Sequence, residues 1–245
     1  MKQITIISFI LIILLQFTSC KRVPLSTGEM TTEVRQLEHF SKLKLFNNVN
    51  VTIMPCDTFM IEISAGKNLI KNITSEVNND TLIIKNNNLC NWLRDYDSPV
   101  NATIYLKKLY YIHYESVGDL KCNKPLIDCN NNFYLFVDEG SGNIDLELYY
   151  KDVTLFFDDG SCVINIDGYA DNAYITNKTF GILDAGDLQA RYVNVLSNSP
   201  NETYIHCINT LTAQIMSIGN IYYRGTPDSI SVNKSFNAKG ELIPY

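Results

Sequence analysis

Apolar and polar residues alternate with a period of two along most of this chain. Lys42-Leu43-Lys44-Leu45-Phe46, Val49 to Ile53, Met60-Ile61-Glu62-Ile63, Thr81-Leu82-Ile83-Ile84-Lys85 and Ala102-Thr103-Ile104-Tyr105-Leu106 each read as a half-buried strand. Between them stand Asn47-Asn48, Asn78-Asn79-Asp80 and Asn86-Asn87-Asn88. Such residues accept left-handed turn conformations and bond their own backbone, so they mark turns. Almost nothing has helical periodicity beyond one turn within Ala65 to Ile70. Leu89 to Pro99 is an irregular excursion that carries the single tryptophan, Trp92. The fold class is all-β.

From Tyr110 onward the strands become a repeat. A turn residue, Gly, Asn or Asp, then Ile or Leu recurs as Val117-Gly118-Asp119-Leu120, Ser141-Gly142-Asn143-Ile144, Ala185-Gly186-Asp187-Leu188 and Ile218-Gly219-Asn220-Ile221. A degraded copy, Asp159-Gly160-Ser161-Cys162-Val163-Ile164, matches Glu139-Gly140-Ser141-Gly142-Asn143-Ile144 with Cys162 in place of Gly142. Gly118 to Gly142 is 24 residues, Gly142 to Cys162 is 20, Cys162 to Gly186 is 24 and Gly186 to Gly219 is 33. The strand Phe133 to Val137 likewise returns as Val153 to Phe157. Such a period with β-forming residues between turns predicts a solenoid of short coils. Each coil supplies two short strands and two corners. The corner glycines Gly118, Gly140, Gly142, Gly160, Gly186 and Gly219 meet a need for positive φ or close backbone approach. Asp119, Asn143, Asp187 and Asn220 bond the corner backbone in a ladder.

These corners resemble the auto-transporter adhesin, head GIN domain family, whose Gly-Ser-Gly-Asn/Asp-Ile motif Gly140 to Ile144 matches in full. Phe40 to Leu45 followed by Val49 to Ile53, and Val77 to Ile84, resemble the opening of that family. The resemblance spans Leu37 to Gly225. It implies a right-handed parallel β-helix on a secreted or lipid-anchored bacterial protein, with no established activity. The chain departs from the pattern at Cys162-Val163, and Gly186 and Gly219 lack the preceding Gly-Ser, so the corner ladder is expected to be irregular there.

The N-terminus reads separately. Met1-Lys2 is a positive start, and Ile4 to Leu15 is an apolar run too short for a membrane span, which takes roughly 20 residues. Residues 1–19 therefore read as a signal peptide. Ser19-Cys20 resembles a bacterial lipobox, which implies cleavage before Cys20 and lipidation of its thiol. Residues 20–32 are the lipidated cysteine and a tether, and residues 33–245 the β-helix domain. Lipid would hold the protein at the outer membrane of the cell envelope without a span. Basic Lys21-Arg22 favours the periplasmic over the cell-surface face.

A net charge of −6 excludes a nucleic-acid partner. Six cysteines follow Cys20 (Cys56, Cys90, Cys122, Cys129, Cys162 and Cys207), none in C-x-x-C spacing, so no metal cluster or redox motif is expected. Most read as small buried hydrophobes, although Cys122 and Cys129 could pair across a turn. His39, His113 and His206 are scattered strand residues without ligand spacing. No metal and no cofactor is expected.

Acidic residues cluster before the corner glycines. Counting back from each corner stacks Glu115, Glu139 and Asp159 in one column, with Asp138 and Asp158 in a second and Asp184 nearby. Carboxylates one coil apart repel, and a cation between them would relieve the repulsion. The bland alternative is a solvated corner. Asp138/Asp158 or Glu139/Asp159 could also serve as a glycosidase pair, since pectin-degrading enzymes share the β-helix, but no long loop builds a cleft around them. Tyr110, Tyr111, Tyr114, Tyr149, Tyr150, Tyr222 and Tyr223 are candidates for stacking on a glycan or protein ligand, against the plain reading that alternate members face the core. The function that follows is a non-enzymatic, lipid-anchored envelope protein that presents a β-helix face, an adhesin in the first reading. The alternatives are a periplasm-facing structural or sensory lipoprotein and a carbohydrate-active enzyme.

Overall fold

The chain starts its fold one coil in from the end of the stack. In the computed structural model, which describes residues 26–89 and 99–245, β1 (Met30–Gln36) leads to β2 (Lys42–Asn47) and β3 (Asn50–Pro55), which form one coil. β4 (Met60–Gly66), a 3-10 turn (Ile70–Asn72) and β5 (Ile73–Asn78) carry the chain around the end. β6 (Thr81–Asn86) and β7 (Asn101–Leu106) then form a coil on one side of β2–β3, and β8 (Tyr111–Ser116) with β9 (Leu120–Cys122) form a coil on the other. Accordingly β2 pairs in parallel with both β6 and β8, and β3 with both β7 and β9. Simple sequential stacking, which the repeat suggested, begins only after this crossover.

β10 (Leu126–Val137), β11 (Asn143–Phe157), β12 (Val163–Asn177), β13 (Ile182–Ser197) and β14 (Thr203–Ile215) extend the solenoid in register, followed by β15 (Ile221–Arg224), β16 (Ser229–Lys234) and β17 (Leu242–Pro244). The whole is a parallel β-helix of about seven turns. One of the two expected corners is a turn, but the other is a bend inside an unbroken strand. β11 and β12 pair from Asn143/Val163 to Tyr150/Ala170 and again from Asp152/Asn172 to Phe157/Asn177, skipping only Lys151 and Asp171. Each long strand therefore contributes its N-terminal half to a first face and its C-terminal half to a second face.

Inward residues stack rung on rung, parallel strands lying ~4.8 Å apart. On the first face one inward column reads Val51, Leu120, Ile144, Ile164, Leu183, Thr203, Ile221 and Leu242. From Leu120 the successive steps are 24, 20, 19, 20, 18 and 21 residues. The coil is thus steadier than the glycine phrases implied. The corner before Leu183 is Thr179-Phe180-Gly181-Ile182, and the corner before Thr203 has no glycine at all. Gly186 and Asp187 are not a corner: they lie inside β13, where Asn165/Asp184 and Asp167/Asp187 pair with one extra residue on the β13 side. That is a β-bulge, a usual place for glycine in a strand. Bulge and missing glycine together produced the false 33-residue step.

The N-terminal end is closed by antiparallel strands. β4 pairs with the outer edge of β7, β1 with the outer edge of β4, and β5 with β6. Terminal repeats need such caps because an open parallel edge invites association. On β1 Glu33 pairs with Arg35 (2.9 Å), whose guanidinium also donates to the Ile73 carbonyl at 2.8 Å. Residues 26–32, expected as tether, belong to this cap: Met30 opens β1, and Asn68 donates to the Ser26 carbonyl at 3.0 Å. Residues 1–19, expected as a signal peptide, and Cys20, Lys21-Arg22, Cys90 and Trp92 lie outside the described residues. Among the described residues no helix is long and apolar enough to cross a membrane.

The crossover from β7 to β8 is pinned from beneath. Tyr150, buried against Phe133, donates to the Leu109 carbonyl at 2.6 Å. Lys108 and Tyr110 both donate to Asp128 Oδ2, at 2.6 and 2.8 Å. In the C-terminal half the apolar column Val137–Phe157 is continued by Asn177 and Ser197. Asn177 is fully buried. It donates to Thr203 Oγ1 (3.0 Å) and accepts from the Thr179 N–H and hydroxyl (3.2 and 2.9 Å), so its polar groups are satisfied.

Candidate functional site

Glycines of the corners are required by close approach rather than by φ. A Cβ on Gly118 would stand 2.2 Å from the Val49 carbonyl oxygen, on Gly142 2.4 Å from that of Gly118, and on Gly219 2.1 Å from that of Asn201. Gly140 and Gly160 face each other in an isolated bridge, and of these two only Gly160 has a left-handed φ, +113°. Glu139, beside them, also takes a left-handed φ of 54°. The amide ladder runs through the N-terminal coils. Asn50 donates to Asn101 at 3.1 Å, the Asp119 N–H donates to Asn50 Oδ1 at 3.0 Å, and Asn143 donates through its side chain to Asp119 Oδ1 at 2.9 Å. It stops at Val163, which has no group to continue it, and Asn220 accepts instead from the Glu241 N–H at 2.9 Å.

The acidic column differs from the expected one. Val137 pairs with Tyr114 and with Phe157, so the carboxylates that follow in register are Glu115, Asp138 and Asp158, while Glu139 and Asp159 sit one position later in the turn. The corner after Glu115 is one residue shorter, which displaced the count from the glycine. The next rung supplies Lys178, whose ammonium lies 2.6 Å from Asp158. Asp159 accepts from the Gly160 N–H at 2.6 Å. The acidic column is thus relieved by a lysine and by backbone. Among the described residues no three His, Cys, Asp or Glu side chains are grouped to hold a metal ion.

Tyrosines named from the sequence divide between core and surface. Tyr114 and Tyr150 are buried, Tyr110 is tied to Asp128, and Tyr223 packs partly buried against the core. Tyr149 bonds Glu147 at 3.1 Å. Tyr222 stacks on Tyr204 (5.1 Å between centroids), with Tyr245 edge-on to both. Tyr111 alone opens onto the second face, beside aromatic residues that the sequence reading passed over.

Outward positions of the second face form three columns. One reads Lys42, Tyr111, Tyr134, Thr154, Tyr174 and Asn194; the next reads Lys44, His113, Phe136, Phe156, Thr176 and Leu196; the third reads Asn132, Asp152, Asn172 and Tyr192. Ring centroids of His113 and Phe136 are 4.9 Å apart, and those of Phe136 and Phe156 5.5 Å. Lys178 lies over Phe156 at 4.9 Å, closing the strip on the corner side. These inner rings pack on one another. Tyr134, Tyr174 and Tyr192, by contrast, are 44%, 47% and 50% exposed, far more than aromatic packing alone leaves. A signal for them existed: positions 134, 154, 174 and 194 are spaced by 20, the coil period.

The first face is acidic instead. Asp145, Asn165 and Asp184 stack, as do Glu147, Asp167 and Asp187, and Asp187 pairs with Arg224 at 2.6 Å. Burial, then the charges of Asp187 and Asp145, push the Asp167 carboxyl above its usual range. Cys122 accepts from the Glu147 N–H at 3.2 Å on the first face. Cys122 and Cys129 are free thiols, as are Cys56 and the buried Cys162 and Cys207.

Comparison with known proteins agrees with this geometry. No curated protein matches the chain. Its fold is that of a putative adhesin from Bacteroides fragilis (20% identity, TM-score 0.78, covering 89% of this chain and 97% of that one). It is also that of a putative adhesin from Parabacteroides distasonis (18%, 0.64, 89% and 98%) and of a putative lipid binding protein from the same species (20%, 0.65, 89% and 97%). Residues 39–227 match the model of the family described as "Putative auto-transporter adhesin, head GIN domain", and the chain belongs to that family.

Proposed function

We propose that this protein is a non-enzymatic adhesin of the bacterial cell envelope, tethered by lipid on Cys20 to the outer membrane, that binds through the second face of its β-helix. The observation that carries the reading is that face. It is flat, built from consecutive rungs, and displays Tyr134, Tyr174 and Tyr192 to solvent over a base of Phe136 and Phe156. Exposed rings of this kind suit recognition, because tyrosine brings large contact area with few rotamers to freeze. Family membership and the adhesin relatives support the same reading. Against catalysis stand the carboxylates themselves: Asp158 is bound to Lys178, and Asp159 accepts from the backbone N–H of Gly160.

Protease treatment of intact cells tests the placement. Digestion of the β-helix on intact cells is the expected result. Protection until lysis would sink the adhesin reading and favour a partner inside the envelope. Purified protein applied to epithelial or bacterial cells tests the face: Tyr134→Ala combined with Tyr174→Ala should abolish attachment. Cys20→Ser should abolish labelling by radioactive palmitate.

A further inference from the structure

The second face has a chemistry more specific than general stickiness. Tyr134 and Tyr174 occupy one column two rungs apart, and the residue between them is the short Thr154. Two rungs make ~10 Å between ring positions, enough to leave a slot above Thr154 walled by a ring at each end. Neither Tyr134 nor Tyr174 shares in the ring-on-ring contacts that occupy His113, Phe136 and Phe156, so their faces toward the slot are not covered by another ring.

Phe136 and Phe156 flank this slot on the corner side, and the other groups around it are mainly hydroxyls and amides. Thr154, Thr176, Asn172 and Asn194 surround it, and Asn172 already donates to Asp152 at 2.7 Å, which fixes the orientation of both. Aliphatic side chains are scarce here, Leu196 standing at the far edge. Protein-docking cores are rich in desolvated apolar contact and poor in such groups. Beside Thr154 the formal charge is that of Asp152; Lys178, over Phe156, is paired with Asp158, and Lys42 and Lys44 stand at the far end of the columns, whereas the first face is lined by Asp145, Glu147, Asp167, Asp184 and Asp187. The formal charge directly beside Thr154 is a carboxylate, which disfavours an acidic ligand there. The complementary ligand has apolar ring faces for the tyrosines, hydroxyls for the amides and threonines, and no net charge. A pyranose has all three.

We infer that the second face is a binding site for a neutral glycan chain, with one sugar ring seated over Thr154 between Tyr134 and Tyr174 and a neighbouring ring against Tyr192. This rests on the reading that the second face does the binding, and adds the class of ligand.

The test is migration of the purified protein through native gels cast with soluble neutral polysaccharides (glucan, mannan, xylan and galactan), with acidic polygalacturonate and heparin as comparisons. Retardation by at least one neutral polymer and by neither acidic one is expected. Tyr134→Ala and Tyr174→Ala should each weaken it at least about tenfold. Thr154→Trp, which fills the slot and leaves both tyrosines in place, should do the same, while Tyr204→Ala on the first face should not. These positions face solvent, so unchanged thermal unfolding will show that the variants remain folded. No retardation by any neutral polymer, or retardation indifferent to Tyr134, Tyr174 and Thr154, overturns the inference. The reading beneath it fails separately: attachment to enzymatically deglycosylated cells that Tyr134→Ala abolishes overturns the glycan and keeps the face, and attachment that neither tyrosine variant changes overturns both.

Discussion

The hydroxyl of Tyr114 donates a hydrogen bond to the carbonyl oxygen of Gly118, 2.6 Å away and four residues further along the chain. The same hydroxyl accepts from the N–H of Gly142 at 3.2 Å, in the next coil. One buried side chain thereby joins two successive corners from inside the solenoid. Burial raises its pKa well above the ordinary phenol value, so it remains a donor throughout the stable pH range. Tyr114→Phe keeps the ring and strands both backbone groups. An unsatisfied buried polar group costs about 1–3 kcal/mol. A loss of that size in urea denaturation is expected, and a loss under half a kcal/mol would mean that water replaces the hydroxyl.

Glycines at corners and the glycine in the bulge should respond differently to alanine. A Cβ at Gly181 would stand 1.9 Å from the carbonyl oxygen of Cys162, a backbone atom of the preceding coil. At Gly186 the nearest atom, at 2.2 Å, is the hydroxyl at the far end of Tyr245, a side chain that can swing away. Gly181→Ala is expected to cost more than about 4 kcal/mol or to prevent folding, and Gly186→Ala less than about 1.5 kcal/mol. Equal losses in thermal unfolding would show that the bulge is as closely packed as a corner.

That contrast also shows how far the sequence could be read. Alternation and the recurring glycine phrase were enough for the parallel β-helix, because inward Ile144, Ile164 and Leu183 must stack whatever the corners contain. Two things were hidden. Gly186-Asp187-Leu188 has the letters of a corner, but a bulge and a tight turn ask the same of glycine, and only pairing with Asp167 separates them. The crossover that inserts β2 and β3 between β6 and β8 leaves no periodic trace, since each strand alternates the same way in either order. The aromatic second face was missed for a related reason. Search by residue type found tyrosine pairs such as Tyr149-Tyr150, whose second member is buried, whereas the surface tyrosines are single residues that come together only in register.

Asp128 provides a test in acid. Burial opposes its charge, but hydrogen bonds from Lys108 and Tyr110 prevail and hold its pKa at about 2, below the ordinary 3.8. Below its unfolded pKa the unfolded chain takes up a proton that the folded chain refuses. The stabilisation is therefore present in full above about pH 4 and is lost as pH falls toward 2, an amount of about 2 kcal/mol from the size of the shift. Asp128→Asn should reduce stability at pH 7 and flatten the decline between pH 4 and 2. Because Lys108 and Tyr110 hold the crossover into β8, hydrogen exchange in Lys107–Ile112 should rise in the variant. If exchange there stays unchanged while global stability falls, the ion pair is not what pins the crossover.

His113 gives the opposite kind of group on the second face. It is wedged between Phe46 and Phe136, with centroids at 5.9 and 4.9 Å, and its Nε2 is buried without a hydrogen-bond partner among the described residues. Burial lowers its pKa below 6.5 and the nearby Lys44 ammonium lowers it further, while Glu115 and Asp138 pull the other way without prevailing. The folded state thus holds the neutral ring. As pH falls below about 6.5 the unfolded chain binds a proton first, so stability declines until pH passes below the folded pKa and then levels off. His113→Phe continues the aromatic column, removes the unpartnered nitrogen and ends this dependence. The variant should unfold at higher temperature than the parent, with the gap widening from pH 7 to pH 5. A gap that stays constant across that range would show that His113 finds a partner for its proton in solution.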